Sequence, residues 1–455
     1  MRRTIFRIAA AAIAVIFFSA AACFANEDYN LVIIVINALR PDYLGCYGAK
    51  QKNTPNIDSL AAEGTRFDNA IGQSYWTLPS MVSLLTGKYV SSHGVNSRNT
   101  RISDQDKTLA QILKEQGFNT AAFTCGLDTI NKYGLEKGFD RYSYYTGPKP
   151  VGSLGDIIPE ISAWLDKNRD SRFFALIHSY DLHPPYDKSL LAGAPDKEYN
   201  GIFAGSALDY GILKKIQGNI LNTNGRQLKL EERDFAYIRE LYSCGIKRAD
   251  AYVGEIIAKL KETGVYDKSI IILCADHGEE LGERGTYDRF DNQNLYQEVI
   301  RVPLIIRSPL KNAFKQRVRA QAGLIDLMPT LLNLLRAEYP VDADINGISL
   351  IPFMKGASPG PKRKFLITEG QRHKWALLRP DGWKLIFMKG EERLYNVKTD
   401  PGERKNLAAE NKQLTTSMLK DFLNWYQLRK KAVNNGSYVT LDAEMVENLK
   451  KAGYW

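Results

Sequence analysis

NLVIIVI, residues 30–36, is the stretch on which the fold turns. A strand with one face in water alternates apolar and polar residues. This one is apolar without a break after Asn30, as expected of a strand covered on both faces inside a parallel sheet. It delivers Asn37 to its carboxyl end. Downstream, TPNIDSLAAEG offers Thr54 as a helix N-cap, Pro55 at the first helical position and Gly64 just past the end. FNTAAFTC, RFFALIHS, SIIILCA and VPLIIRS read as further strands. Between them lie helical stretches such as TLAQILKEQG and the long run from ERDFAYIREL to KLKETG. Strand alternating with helix in this way predicts an α/β sandwich with a mostly parallel central sheet flanked by helices. Ligands then bind beyond the carboxyl ends of the strands.

The 455 residues, 44% hydrophobic and 25% charged, are enough to bury a large core. MRRTIFRIAAAAIAVIFFSAAACFA has a basic start, an apolar run and small residues before Asn26. Residues 1–25 therefore read as a signal peptide for export to the periplasm or beyond the cell. Cleavage before Cys23 with lipidation there is the alternative, although Ala20 stands where a lipid-attachment box prefers Leu. Lipidation there, or a retained leader, would allow association with the cell envelope. Residues 26–356 form the predicted α/β domain. At ASPGPKRK the character changes, and KWALLRP, GWKLIFM and RLYNV followed by a helix around Thr415 to Arg429 predict a small antiparallel sheet with one helix over 357–455. Residues 187–224, rich in Gly, Asn and Ala, read as an irregular excursion over the site.

The formal net charge is +10, of which Arg2, Arg3 and Arg7 in the leader supply three. That excess suits an anionic substrate. No Lys/Arg cluster is interleaved with aromatics, so nucleic acid is not an expected partner. Cys46, Cys125, Cys244 and Cys274 match neither a zinc motif nor a disulfide frame, and Cys125 and Cys274 end apolar runs as buried thiols would.

Three places carry candidate chemistry. CADHGEELGERG ends a strand in Asp276 and His277, which can face one crevice if the strand breaks at Gly278. In SYWTLPSMVSLLTGKYVSSHGV, residues 74–95, Pro79 suits the first turn of a helix, so Thr77 lies at or just before a helix N-terminus, where an anion is favoured. Thr77 is either a nucleophile assisted by a metal or an N-cap. His178 and His183 in LIHSYDLHPPY fall at and just after another strand end, where they could hold an anionic ester or protonate a leaving group.

With these blocks in this order the chain resembles the sulfatase family of the alkaline phosphatase superfamily. The resemblance runs through ALRPDYLGCYG, TPNIDSLAAEGTRFDNA, PSMVSLLTGKYVSSHGV, HSYDLHPPY, ADHGEELGERG, LYQEVIRVPLIIRSP and LYNVKTDPGERKNL. It implies an alkaline-phosphatase-like sandwich, a sulfate or phosphate ester of a small molecule, glycan or lipid as substrate, and one divalent metal ion, calcium or zinc. Carried over by position, the metal set is Asn37, Asp276, His277 and the Thr77 hydroxyl. Asn37 stands where an Asp is expected, so one negative charge is lost, and zinc suits Asp276 with His277 better than calcium.

Other departures follow. Formylglycine formation needs Cys or Ser with a later Arg. Thr77 and Met81 occupy those positions, which points to relatives that use threonine directly. Asp291 stands where a Lys or His grips the anion, and Thr124 to Gly126 replace the family's Lys-x-His. Lys88, His93 and Arg289 then remain as candidate substrate contacts, beside His178 and His183. The resemblance thus implies a metal-assisted hydrolase or transferase. A catalytically impaired relative that binds an anionic glycan or lipid headgroup is the second reading.

Overall fold

The computed structural model describes residues 29–147, 152–183, 232–285, 295–310, 314, 316–339, 344–357, 363–371, 373–388 and 390–432. The leader, the stretch 187–224, Arg289 and Asp291 lie outside the described residues.

The large sheet is built from β1 (Asn30–Ile36), β2 (Thr65–Ile71), β3 (Asn119–Thr124), β4 (Arg141–Tyr144), β5 (Phe173–Ser179), β6 (Ser269–Cys274), β7 (Arg301–Val302), β8 (Leu304–Arg307) and β9 (Arg317–Gly323). Their order is β4-β3-β5-β1-β6-β8-β2-β7, with β9 beside β2. All seven residues of β1 are buried, as its unbroken apolar run requires. β1 lies between β5 and β6, parallel to both, with Val35 opposite His178 on one side and Cys274 on the other. That register brings the carboxyl ends of three strands level, with Ile36 opposite Ser179 and Asn37 one residue beyond. The sheet is mixed beyond β6, because β8 runs antiparallel to both β6 and β2.

Helices α1 (Pro55–Glu63), α2 (Thr77–Thr86), α3 (Leu109–Glu115), α4 (Leu154–Asn168), α5 (Glu232–Glu262) and α6 (Leu327–Leu334) flank the sheet. The start of α1 shows how tertiary packing replaces a local signal. Thr54 is the N-cap residue but makes no capping bond. Instead Asp250 of α5 accepts from the backbone N–H of Ile57 at 2.8 Å and of Asn56 at 3.2 Å. A carboxylate at a helix N-terminus does the same work from across the molecule.

The C-terminal sheet has four strands rather than three, in the order β10 (Leu366–Glu369), β11 (Trp375–Leu378), β12 (Trp383–Met388) and β13 (Glu391–Asn396). The extra strand, β10, is four buried residues that lack the alternation by which a half-exposed strand is read. Helix α7 (Lys412–Ala432) covers this sheet, with Phe422 packed on Trp375 and Phe387 at centroid distances of 5.2 and 4.7 Å. β10 also ties the small sheet to the large domain. Glu369 N–H donates to Gln73 O at 2.9 Å, and the Thr368 hydroxyl donates to Gly72 O at 2.8 Å. Those bonds hold the segment that leads into α2.

Candidate active site

Three chain segments meet at the carboxyl ends of β1 and β6. The turn after β1 is strained, because Ala38 has φ 58°. The Tyr242 hydroxyl of α5 fastens it, donating to Ala38 O at 2.6 Å and accepting from Arg40 N–H at 2.9 Å. β6 stops at Cys274, so Asp276 and His277 lie beyond the strand and are free of its alternation. Gly278 serves a close approach rather than an unusual φ: a Cβ there would sit 2.1 Å from Glu298 O. Thr77 is the first residue of α2, with Trp76 as the N-cap, so its hydroxyl is not spent on capping.

The outcome is a cluster in which Asn37, Thr77, Asp276 and His277 are all sealed from solvent. The Asn37 Nδ2 donates to Thr77 Oγ1 at 2.8 Å and to Asp276 Oδ2 at 2.8 Å, and lies 3.3 Å from His277 Nε2. Its two hydrogens thus face three acceptors. Thr77 Oγ1 is 3.3 Å from His277 Nε2. His277 Nδ1 lies 2.7 Å from Gly278 O, an acceptor, so Nδ1 carries a hydrogen and Nε2 is turned toward the threonine. Asp276 Oδ1 accepts from the backbone N–H groups of Ala38 and His277. Burial alone would raise the Asp276 pKa, but His277, His178 and the Asn37 amide together hold the carboxyl far below its ordinary value.

The other expected residues fall differently. His178 lies with its Nε2 3.4 Å from Asp276 Oδ2, the same oxygen that accepts from Asn37. His183, half-buried, stacks on Tyr180 at 5.1 Å just past β5. Lys88 is corrected as a substrate contact: it pairs with Asp106 at 2.7 Å and Asp344 at 3.4 Å, beyond the far end of α2 from Thr77. The ten residues of that helix put about 15 Å between its ends. His93 is corrected too. Its Nδ1 accepts from Val95 N–H at 3.1 Å and its Nε2 meets Ser83 Oγ at 3.0 Å, and burial, with repulsion from Lys88, drops its pKa to about 3. It is a neutral tie inside the fold.

Sequence reasoning missed two residues around the cluster. Tyr180 fills the space beside Gly126, where the family's Lys-x-His would end: a Cβ on Gly126 would lie 2.0 Å from the Tyr180 ring. Lys374, after β10, is a second cation near this end of the sheet. Burial and repulsion from Arg393 lower its pKa to about 8, against the attraction of Glu391 and of Glu280, three residues past His277. Neither has a local sequence signal, since each acquires its place through a strand distant in the chain.

The donor set decides which cation could be held. Calcium takes six to eight oxygens. Among the described residues one carboxylate, one hydroxyl and one amide supply only part of that number, so this set suits calcium less well than a cation of lower coordination number. No group of three or more His, Cys, Asp and Glu is placed for a metal among the described residues. Zinc takes four N or O donors at about 2.0–2.1 Å, which sets the donors about 3.3 Å from one another. The separations among Asn37 Nδ2, Thr77 Oγ1, Asp276 Oδ2 and His277 Nε2 run from 2.8 to 3.6 Å. Asn37 Oδ1 is buried without a hydrogen-bond partner. Turning that amide over would give the orphaned oxygen a role and complete a four-donor set suited to zinc.

Comparison with known proteins gives the family and the fold. A sulfatase family model matches residues 29–337, and a model of the N-sulphoglucosamine sulphohydrolase C-terminal region matches residues 282–430. The chain is 26% identical over 367 residues to an ulvan-active sulfatase of Formosa agariphila, covering 74% of this chain and 67% of the relative. It is 24% identical to an N-acetylglucosamine-6-O-sulfatase of Bacteroides thetaiotaomicron, covering 83% of this chain and 82% of the relative. The crystal structure of a phosphonate monoester hydrolase of Agrobacterium radiobacter shares the fold, with TM-score 0.70 at 19% identity over 88% of this chain and 96% of the other.

Proposed function

Because the chain belongs to the sulfatase family of ester hydrolases, we propose that it cleaves a sulfate or phosphate ester with Thr77 as the attacking group. The observation that carries this reading is the pairing of Thr77 Oγ1 with Nε2 of His277, whose other nitrogen is anchored on Gly278 O. A nucleophile, a base and a group orienting the base are the parts such a step needs.

The Thr77 proton passes to His277 Nε2 as Oγ1 attacks the sulfur or phosphorus, the bond to the leaving oxygen breaks, and that oxygen takes a proton from solvent to depart as the alcohol. The Asn37 N–H already bonded to Oγ1 follows the charge that develops there, a preorganised donor in a sealed site. His178 stays against Asp276 Oδ2. The ester left on Thr77 has no second hydroxyl on its carbon through which to eliminate, so water must release it, returning the proton from His277. Zinc held by Asn37 Oδ1, Asp276, His277 and Thr77 would be an alternative to this base: it would occupy His277 Nε2, require the Asn37 amide to turn over, and lower the hydroxyl pKa as a Lewis acid instead. The names of the relatives, which run from glycan sulfatases to a mouse steryl-sulfatase, support a glycan or small-molecule ester as substrate.

The test is a double-mutant cycle on hydrolysis of 4-nitrophenyl sulfate and bis(4-nitrophenyl) phosphate. Thr77→Ala is expected to lower kcat/KM on the order of a thousandfold, His277→Ala similarly, and the double variant no further, because the two act as one unit. Activity unchanged in Thr77→Ala removes the threonine from the mechanism. Additive losses remove the pairing.

A further inference from the structure

Away from Thr77, a cavity of about 990 Å³ lies between the β2–β9 side of the large sheet and the turns of the small sheet. Eight of its lining side chains are Arg or Lys, and one, Asp68, is acidic. That single carboxylate is already shared by Arg66 at 3.0 Å and Arg317 at 2.8 Å. Arg301 reaches only the backbone oxygen of Asp68, at 3.1 and 2.9 Å. Arg319 and Lys398, both exposed, make no side-chain hydrogen bond or ion pair among the described residues. Like charges gathered round a concave wall reinforce one another and focus their field into the cleft. Three of the eight are matched by carboxylates outside the lining, Arg363 by Asp326, Lys364 by Asp421 at 2.6 Å and Arg379 by Asp381 at 2.7 Å, so the excess positive charge of the cleft is carried by Arg301, Arg319 and Lys398 together with Arg66 and Arg317 around one Asp68.

We propose that this cleft binds a polyanionic oligosaccharide, a sulfated or carboxylated chain, at a site separate from Thr77. Its chemistry matches both halves of such a ligand. Ile71, Phe353 and Leu378 give an apolar wall against which the C–H faces of sugar rings can lie, and the guanidinium forks suit sulfate or carboxylate substituents. A concave wall excludes a flat bilayer, which cannot enter it. The cleft is also connected to the candidate active site through the chain. Ile71 precedes Thr77 by six residues, which span at most about 20 Å. A long anionic glycan anchored in the cleft can therefore present a neighbouring residue to the active-site end of the sheet. The cleft proposal does not depend on Thr77 being the nucleophile.

The experiment is titration of the full chain with a size-defined heparin hexasaccharide over a range of salt. Arg319→Glu with Lys398→Glu is expected to weaken binding about tenfold or more and to flatten the salt dependence. Both side chains are exposed and unpaired, so the fold is not at stake. A control pair, Lys132→Glu with Lys167→Glu, changes net charge equally at exposed positions at the opposite edge of the sheet and is expected to stay within about twofold. The proposal is overturned if the cleft pair leaves binding unchanged or if the control pair weakens it as much. It also fails if uncharged maltohexaose binds as tightly, or if anionic phosphatidylglycerol vesicles compete through the same two residues.

Discussion

Two polar clusters in this molecule are sealed from water, and they are built on opposite terms. In the small sheet, Lys384 Nζ lies 2.7 Å from Glu403 Oε1, and the other oxygen of Glu403 accepts from Gln297 N–H at 2.6 Å. At the end of β1, one amide NH2 faces a carboxylate, an imidazole nitrogen and a hydroxyl. Each cluster adjoins a non-glycine residue of positive φ, Glu403 itself in the first and Ala38 in the second. The first matches charge with charge and only holds structure. The second carries more acceptors than donors, and a site short of positive charge is one that welcomes a proton, an electrophile or a cation.

Breaking the balanced cluster should give the largest effect on stability. Burial pushes the Lys384 pKa down and the Glu403 pKa up, and each partner's charge opposes that. Lys384→Ala leaves Glu403 buried and unpaired, and is expected to cost about 3–5 kcal/mol in urea denaturation. Loss below about 1 kcal/mol would mean that the pair contributes no more than a surface bridge.

The unbalanced cluster responds to the opposite change. Asn37→Asp replaces its sole amide donor with a second carboxylate against Asp276 Oδ2. In chelator the variant is expected to be less stable than the parent, and zinc should restore it with an affinity about tenfold tighter than the parent's. The readout is the thermal midpoint with and without zinc. Equal stability of the two proteins in chelator would show that the cluster is not overloaded with acceptors.

The smallest effect concerns Lys374, between these two regimes. Its folded-state pKa of about 8 lies below that of an unfolded lysine, about 10.5. Between those values the unfolded chain binds more protons than the folded one, so Lys374 makes stability rise with pH there. Below that window both states are protonated and the burial cost is constant. Lys374→Met should remove this rise, seen as a flatter difference in denaturation free energy between pH 8 and 10.5. A wild-type-minus-variant curve with no slope in that range contradicts the assignment.

Much of the fold was legible because it is written in local patterns. The apolar runs of β1, β3, β5 and β6 each predict a buried strand without reference to any partner, and α3 and α5 read as the helical stretches between them. β10 was not legible, since four buried residues carry no period. Among site residues, Thr77, Asp276, His277 and Asn37 were found as strand-end or helix-start residues and carried into one set by resemblance. Lys88 and His93 were misplaced by their nearness to Thr77 in sequence. Lys88 is carried away from Thr77 by the length of α2, whereas His93 folds back along α2 and spends both ring nitrogens inside the fold. His93 then finds Ser83, and Lys88 finds Asp106 and Asp344.

By itself the sequence determined the strand-and-helix order, the family blocks and the identity of each departure, because all three reside in residues read one at a time or in short runs. Only tertiary structure decided what Asn37 does. Its partners Thr77 and Asp276 are 40 and 239 residues away, and the amide points at them because β1 and β6 are in register and Tyr242 pins the strained turn at Ala38. Orientation of a side chain within a sealed site depends on what surrounds it, and those neighbours come from every part of the chain.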